Sequence, residues 1–350
     1  MSTRRLFLLT LTTAALLGGV PRGPAAEPDS VVIKAADDKI EFFAGKQLVT
    51  RYHKDPGVAK PYFWPLNVAA GDKLIPVTRA WPMEKGLPGE STDHVHQKSA
   101  WFCHGDVIPE GIELKPTEKV KGVDGVDFWS EGPGHGVIVC TGVDEPKVDG
   151  NHGRVTTRNE WRTAEGTRLL DETRTIHFYN LGSARLFVVE TDLYAGVCPI
   201  TFGDTKEGSF GLRISDAITE EKTVDKKKVK GDGKIENAEG KVSEQDCWGF
   251  PSAWCDYSGP IEGQTIGLAI FTDPANPFAS CWHSRGYGLM AANPFGRGKS
   301  GFPAMKGKTD LVKLAKGEHL KMRFGILLHT GDAQEGKVGE YYERFVKLKG

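Results

Sequence analysis

The 350-residue chain has no Cys-x-x-Cys pair among its six cysteines, no apolar run beyond Leu17 long enough to span a bilayer, and no surplus of charge of either sign. The first absence excludes a structural zinc–thiolate site, which draws on closely spaced cysteines; Cys247 and Cys255 stand eight apart. A chain of this length builds enough core to stand without cross-links, so few disulfides are expected among Cys103, Cys140, Cys198, Cys247, Cys255 and Cys281. With 45 Lys and Arg against 46 Asp and Glu, neither nucleic acid nor an anionic membrane is the expected partner. Helical periodicity is scarce as well, which turns attention to strands.

What is present begins with an address. Arg4 and Arg5 precede an apolar run from Leu6 to Leu17, followed by Gly18, Gly19, Pro21 and the small pair Ala25-Ala26. That is the layout of a cleaved export signal over residues 1–26. Thr3-Arg4-Arg5-Leu6-Phe7-Leu8 also fits a twin-arginine signal, and a plain Sec signal fits nearly as well. The run is too short to anchor the chain. Cleavage removes Arg4, Arg5 and Arg22 and leaves 42 basic against 46 acidic residues. The expectation is a periplasmic or secreted protein with no membrane attachment after signal removal.

Glycine at 43 and proline at 20 punctuate the remainder into short pieces, which favours strands joined by turns. From His319 to His329, Leu320, Met322, Phe324, Ile326 and Leu328 alternate with His319, Lys321, Arg323 and Gly325, so one face is core and the other wet. The same pattern recurs at Phe187, Val189, Thr191 and Leu193 and at Ile266, Leu268 and Ile270, with shorter runs at 31–35, 39–44, 47–52, 135–140, 153–162 and 168–179. Only the stretch between Asp332 and Lys349 reads as helix, through Val338, Tyr341, Tyr342, Phe345 and Val346. Residues 27–350 are therefore expected to form a single mainly-β domain, a large antiparallel β-sandwich with a short C-terminal helix. Glu220 to Gln245, rich in Lys, Glu, Asp and Gly, reads as a mobile excursion or hairpin arm, and Val107 to Val123 as a turn-rich insertion.

The densest chemistry lies in Asp93-His94-Val95-His96-Gln97-Lys98-Ser99-Ala100-Trp101-Phe102-Cys103-His104-Gly105-Asp106. If that segment is extended, His94 and His96 share one side, and His104 and Asp106 share a side as well. Imidazoles beside carboxylates serve proton transfer or metal binding. Any one of them read alone is equally a loop or core histidine. Phe202-Gly203-Asp204-Thr205-Lys206-Glu207-Gly208 adds two carboxylates and a lysine. Trp254-Cys255-Asp256-Tyr257, Trp282-His283-Ser284-Arg285-Gly286-Tyr287 and Asn293-Pro294-Phe295-Gly296 add aromatics beside polar groups. Aromatic faces flanked by Asp, Asn, Arg and His suit a sugar ring, with C–H faces to stack on and hydroxyls to chelate.

Taken in order, these strings resemble a family of secreted bacterial proteins from Planctomycetes and Bacteroidetes labelled "methane oxygenase PmoA", or PmoA-like. The resemblance runs from Arg51-Tyr52-His53 and Lys60-Pro61-Tyr62 through the histidine segment, Asp127-Phe128-Trp129 and Phe202 to Gly208, to Trp254 to Gly259 and Trp282 to Gly296. This chain departs from the pattern at Gln97, where a further histidine is usual, at Lys98 and Ser99 in place of Arg-Gly, and in the 107–123 insertion. The methane monooxygenase subunit that lends the label is a multi-span membrane protein, and no segment here after the leader is of that kind.

Three functions fit these residues. In the first, an extracytoplasmic carbohydrate-active enzyme, an epimerase, lyase or hydrolase on a mutarotase-like sandwich, uses His94, His96 or His104 with Asp106, Asp204, Glu207 or Asp256 as general acid and base. Trp101, Trp254, Asp256, Tyr257, His283, Arg285, Tyr287 and Asn293 would then hold the sugar. The second places a divalent metal on His94, His96 and Asp106. The third is a non-catalytic glycan-binding module whose aromatics do the recognition. As to the leader, N-terminal sequencing of the exported protein should begin near Glu27; full-length protein retained in the membrane would overturn that reading.

Overall fold

The computed structural model describes residues 30–86, 90–224 and 227–348; the leader lies outside them. Alternating segments become strands close to where the pattern puts them, at Val31–Ala35, Lys39–Ala44, Gln47–His53, Val137–Val143, His152–Arg162, Arg168–Asn180, Arg185–Tyr194, Gln264–Thr272 and His319–Thr330. They assemble into two nine-stranded sheets, with every neighbouring pair antiparallel.

The first sheet runs Val31–Ala35, Lys39–Ala44, Gln47–His53, Tyr62–Ala70, Ala100–His104, Gly208–Arg213, Leu289–Asn293 and Cys281–Trp282, with Lys73–Pro76 beside Tyr62–Ala70. The second runs Lys234–Asn237, Trp254–Ile261, Gln264–Thr272, His319–Thr330, Arg185–Tyr194, Arg168–Asn180, His152–Arg162 and Val137–Val143, with Lys147–Asp149 at its edge. Rings from both sheets meet between them. Phe210 stacks on Phe324 at 5.0 Å, Phe102 approaches Phe324 at 6.0 Å, and Phe42 meets Phe187 at 5.4 Å. The mainly-β sandwich expected from alternation is the architecture observed.

Two local readings change. The far face of His319–Thr330 is wet only at its start: beyond Arg323, Gly325 and Leu327 are buried, and the helix Val338–Lys347 lays Phe345 against this face. Helical spacing in the tail and a continuous apolar run in the strand are two halves of one contact. The charged stretch 220–245 is a hairpin only in part. Glu221–Val224 pairs with Lys227–Lys230, but Lys234–Asn237 joins the second sheet with Ile235 fully buried. Val107–Val123 contains the short strand Val107–Pro109, which pairs with Ile200–Phe202. No helix among the described residues is long and apolar enough to cross a membrane.

Phe324 sits where both sheets meet, so Phe324→Ala should cost roughly 3–5 kcal/mol and Lys321→Ala under about 1 kcal/mol in urea titration. Equal, small losses would contradict its place in the core.

Candidate active site

Cross-strand partners share a face, so the register of the first sheet decides which side chains emerge together. Trp101 is opposite Gly211, Gly211 opposite Ala291, and Ala291 exchanges backbone hydrogen bonds with His283. That row lies on the face opposite Phe102 and Phe210, hence away from the space between the sheets, though Trp101, Ala291 and His283 are themselves buried. In the next row Arg213 faces Leu289, whose carbonyl accepts from the Arg285 N–H. Gly211 is required here: a Cβ would lie 2.8 Å from the Trp101 ring and 2.9 Å from that of Trp129, which meets Trp101 at 5.0 Å.

Onto this floor the 91–97 loop brings His94 and His96. The loop is a turn in which His94 has φ 45°, so its histidines do not follow strand alternation, yet their rings meet edge-on at 5.7 Å. Its shape comes from two buried guanidiniums. Arg79 donates to the Asp93 carboxylate at 2.7 Å and to the carbonyls of Ser91, Asp93 and His94; Arg213 reaches the same carboxylate at 3.1 Å and donates to Gln97 Oε1 at 2.9 Å. Asp93 Oδ2 in turn lies 3.1 Å from His94 Nδ1. This contact puts the Nδ1 proton on His94 toward Asp93 and leaves Nε2 to act as a base, the orienting role an acid plays in catalytic triads. The Tyr287 ring stacks on His94 at 5.3 Å and takes the Arg213 guanidinium at 4.7 Å.

Glu207 and His283 complete the site. His283 is buried; its Nδ1 has no hydrogen-bond partner and lies 4.0 Å from Glu207 Oε2. Burial pushes the Glu207 carboxyl above its ordinary range, with Lys206 opposing and the Asp127 charge adding to the rise. Burial also depresses His283 to about 3 and His96 to about 4, the latter helped by the Lys60 charge. Burial alone would raise Asp93, but the His94 hydrogen bond, the Arg213 charge and the Arg79 hydrogen bond hold it well below the usual carboxylate range. The result is an ionised Asp93, neutral His96 and His283, and a Glu207 that keeps its proton more readily than a free carboxyl. Beside His96, Glu131 bridges Lys60 at 3.2 Å and Lys98 at 2.6 Å.

Of the residues singled out in the sequence, His94, His96, Glu207, His283, Arg285 and Tyr287 converge, with Trp101 in the floor beneath. The others have structural partners. His104 is buried in the core-facing row, with Nε2 on the Gly203 carbonyl at 2.9 Å and Nδ1 3.5 Å from Ser209, and burial lowers it to about 4. Asp106 accepts from the Gly125 N–H; none of its described partners is His94 or His96, so it does not join them as a metal ligand. Among the described residues no three His, Cys, Asp or Glu side chains are set to hold a metal ion. The Asp204 carboxylate accepts backbone N–H bonds from Arg297, Lys299 and Ser300. Asp256 is buried against His329 at 2.8 Å; burial alone would lower the imidazole, but the Asp256 charge and hydrogen bond, joined by the Thr330 carbonyl and the Asp332 charge, together raise it. The Tyr257 hydroxyl is held by the Glu220 N–H and the Gly286 carbonyl, Trp254 packs near the C-terminal helix, and Asn293 caps Phe295 and Gly296 while donating to the Thr205 carbonyl. Reasoning from sequence missed Arg79 and Arg213, which stand alone among unrelated neighbours and carry no motif.

The chain belongs to the family of unknown function DUF6807, whose model matches residues 39–343. No curated protein matches it. Solved structures that it is similar to include a Glycoside Hydrolase Family 97 enzyme from Pseudoalteromonas sp. strain K8, with TM-score 0.39 and 12% identity over 81% of this chain and 34% of that one. A GH36 α-galactosidase, AgaA from Geobacillus stearothermophilus, gives TM-score 0.38 and 6% identity over 86% of this chain and 40% of that one. Galactose 1-epimerase from Lactobacillus acidophilus NCFM gives TM-score 0.38 and 9% identity over 86% and 98%. This chain thus spans well under half the length of the first two. Likeness at this level says nothing of activity.

Buried neutral His104 and His283 bind fewer protons than the unfolded chain, whose imidazoles titrate near about 6.5. Their burial is therefore without penalty above that pH, and stability is lost as pH falls below it toward the native values of about 4 and about 3. The urea midpoint should drop between about pH 7.5 and about pH 4.5, and His104→Gln should make the drop shallower. A midpoint flat across that window would mean these imidazoles are not buried neutral.

Proposed function

We propose that this member of DUF6807 is a carbohydrate-active enzyme that works by acid–base proton transfer on an uncharged sugar, outside the cytoplasm once its leader is removed. The observation that carries the reading is the His283 Nδ1, buried without a partner 4.0 Å from Glu207, on the floor beneath the Asp93–His94 pair. An unsatisfied buried nitrogen costs stability, and a sugar hydroxyl donating to it would remove that cost. Neutral His96 and His283 accept hydroxyl hydrogens, and a carboxyl that holds its proton donates one. That combination favours a polyhydroxylated neutral ligand over an ion.

The division of labour follows from the charges. His94, oriented through Nδ1 by Asp93, takes a proton at Nε2, and the imidazolium so formed is stabilised by the Asp93 charge. Glu207 supplies a proton to the oxygen at which negative charge develops, so the pair exchanges protons with no net charge left on the sugar. Ring opening, epimerisation and elimination all need this exchange. Arg285, within reach of both Glu207 and His283, is tied to Glu244 at 3.2 Å and sets the polar edge.

Glu207→Gln should reduce turnover on a panel of neutral sugars by about 100-fold or more with little change in melting temperature, and His94→Gln should behave alike. Unchanged turnover in Glu207→Gln, or loss only in proportion to unfolding, would refute the assignment.

A further inference from the structure

A second cavity, of about 680 Å³, opens beside the acid–base site and shares Asp93 and Tyr287 with it. That volume is within the usual range for small-molecule sites. We infer that this cavity is a subsite for the further units of a neutral oligosaccharide whose reacting unit lies at Glu207 and His283, an inference that rests on the carbohydrate reading of that site.

The lining argues for the ligand class. Hydroxyls come from Ser91, Thr92, Ser215, Thr219, Thr223 and Tyr287, each able both to donate and to accept. Two charged side chains in the wall have unsatisfied atoms: Arg213 Nε and Asp216 Oδ1 are buried with no hydrogen-bond partner, although the Arg213 Nη2 lies 3.8 Å from that same Asp216 oxygen. Burial raises the Asp216 carboxyl, against the Ser91 N–H bond and the Arg213 charge. A donor and an acceptor held a few ångströms apart match vicinal hydroxyls, which offer both functions at that spacing. The cations in the wall are already paired, Arg213 with Asp93 at 3.1 Å and Lys222 with Asp232 at 3.3 Å, so the cavity offers a uronate or sulfated chain no unpaired positive charge. The outer side is formed by Glu221–Val224, which pairs with Lys227–Lys230 outside both large sheets. A monomer-sized ligand at Glu207 has no need of this wall, whereas a chain of two or more units crossing Tyr287 would lie along it.

The test is calorimetric titration of the full-length mature protein with neutral ladders of β-1,4-glucan, α-1,4-glucan and β-1,4-xylan fragments from one to five units, alongside oligogalacturonates of equal length. Affinity should rise by about tenfold between one unit and three for at least one neutral ladder, and the matched acidic ladder should show no such gain. Thr223→Trp, at an exposed position on the hairpin, should compress that gain to about twofold or less. Binding of single sugars with no gain on lengthening, or a gain that Thr223→Trp leaves intact, would overturn the subsite and leave the acid–base site standing. A steeper gain for the acidic ladder would overturn the charge argument. Absence of binding by every sugar would overturn the carbohydrate reading and the subsite together.

Discussion

A buried ion pair at the seam between the sheets sets the geometry on which the site depends. Glu172 and Arg174, on one strand of the second sheet, form a two-pronged pair at 2.7 and 2.9 Å with almost no solvent contact. Arg174 then crosses the core to the Tyr52 hydroxyl at 2.8 Å and the Phe102 carbonyl at 3.4 Å, both in the first sheet. Glu172 is further satisfied by the Trp161 indole N–H and the Thr191 hydroxyl, each at 2.9 Å. Such a pair is tolerable only because its donors and acceptors are nearly all used; removing one partner strands the other, at a cost of about 3–5 kcal/mol. Apolar contacts hold the sheets together without fixing their offset, whereas this network permits one alignment.

That alignment reaches the outer face through a single strand. Ala100–His104 offers the Phe102 carbonyl and ring to the core while Trp101, its immediate neighbour, points outward. Alternation thus converts a fixed interior into a fixed floor. Above the floor a second pair of arginines repeats the device, with Arg79 and Arg213 fastening Asp93 and the carbonyls around it. Electrostatics does in both places what packing alone could not: it fixes the offset between two sheets in one and, in the other, orients a loop with no regular hydrogen-bond ladder.

Strand positions were legible because alternation is a local signal that the sandwich simply obeys, as His319–Thr330 and Arg168–Asn180 illustrate. The helix that covers half of the former was visible too, but not the face it covers, since contact between distant segments leaves no mark in either. The site was legible in composition and only half legible in membership. His94, His96, Glu207, His283, Arg285 and Tyr287 were singled out and meet. Asp256, Asp204 and His104 were singled out on the same grounds and are absorbed by His329, by three backbone N–H groups and by Gly203. Residue type reports what a side chain can do, whereas its partners decide whether it is free to do it. Arg79, chemically indispensable to the loop, stands in a stretch that sequence reasoning had no cause to notice.

The histidines make that distinction measurable within one class of residue. His104 and His283 are both buried and both held neutral by burial, so neither solvent access nor titration separates them. Their unoccupied valence does. Both nitrogens of His104 have partners in the protein, and its energy is settled on folding. One nitrogen of His283 has none, and it faces a carboxyl that is itself only partly compensated. A fold under selection for stability alone would fill that gap with a serine or a water-excluding methyl. Leaving it open is a standing cost to the free protein. A hydroxyl from outside that completes the bond would offset that cost, and it is on this ground that His283 and not His104 enters the proposed acid–base site.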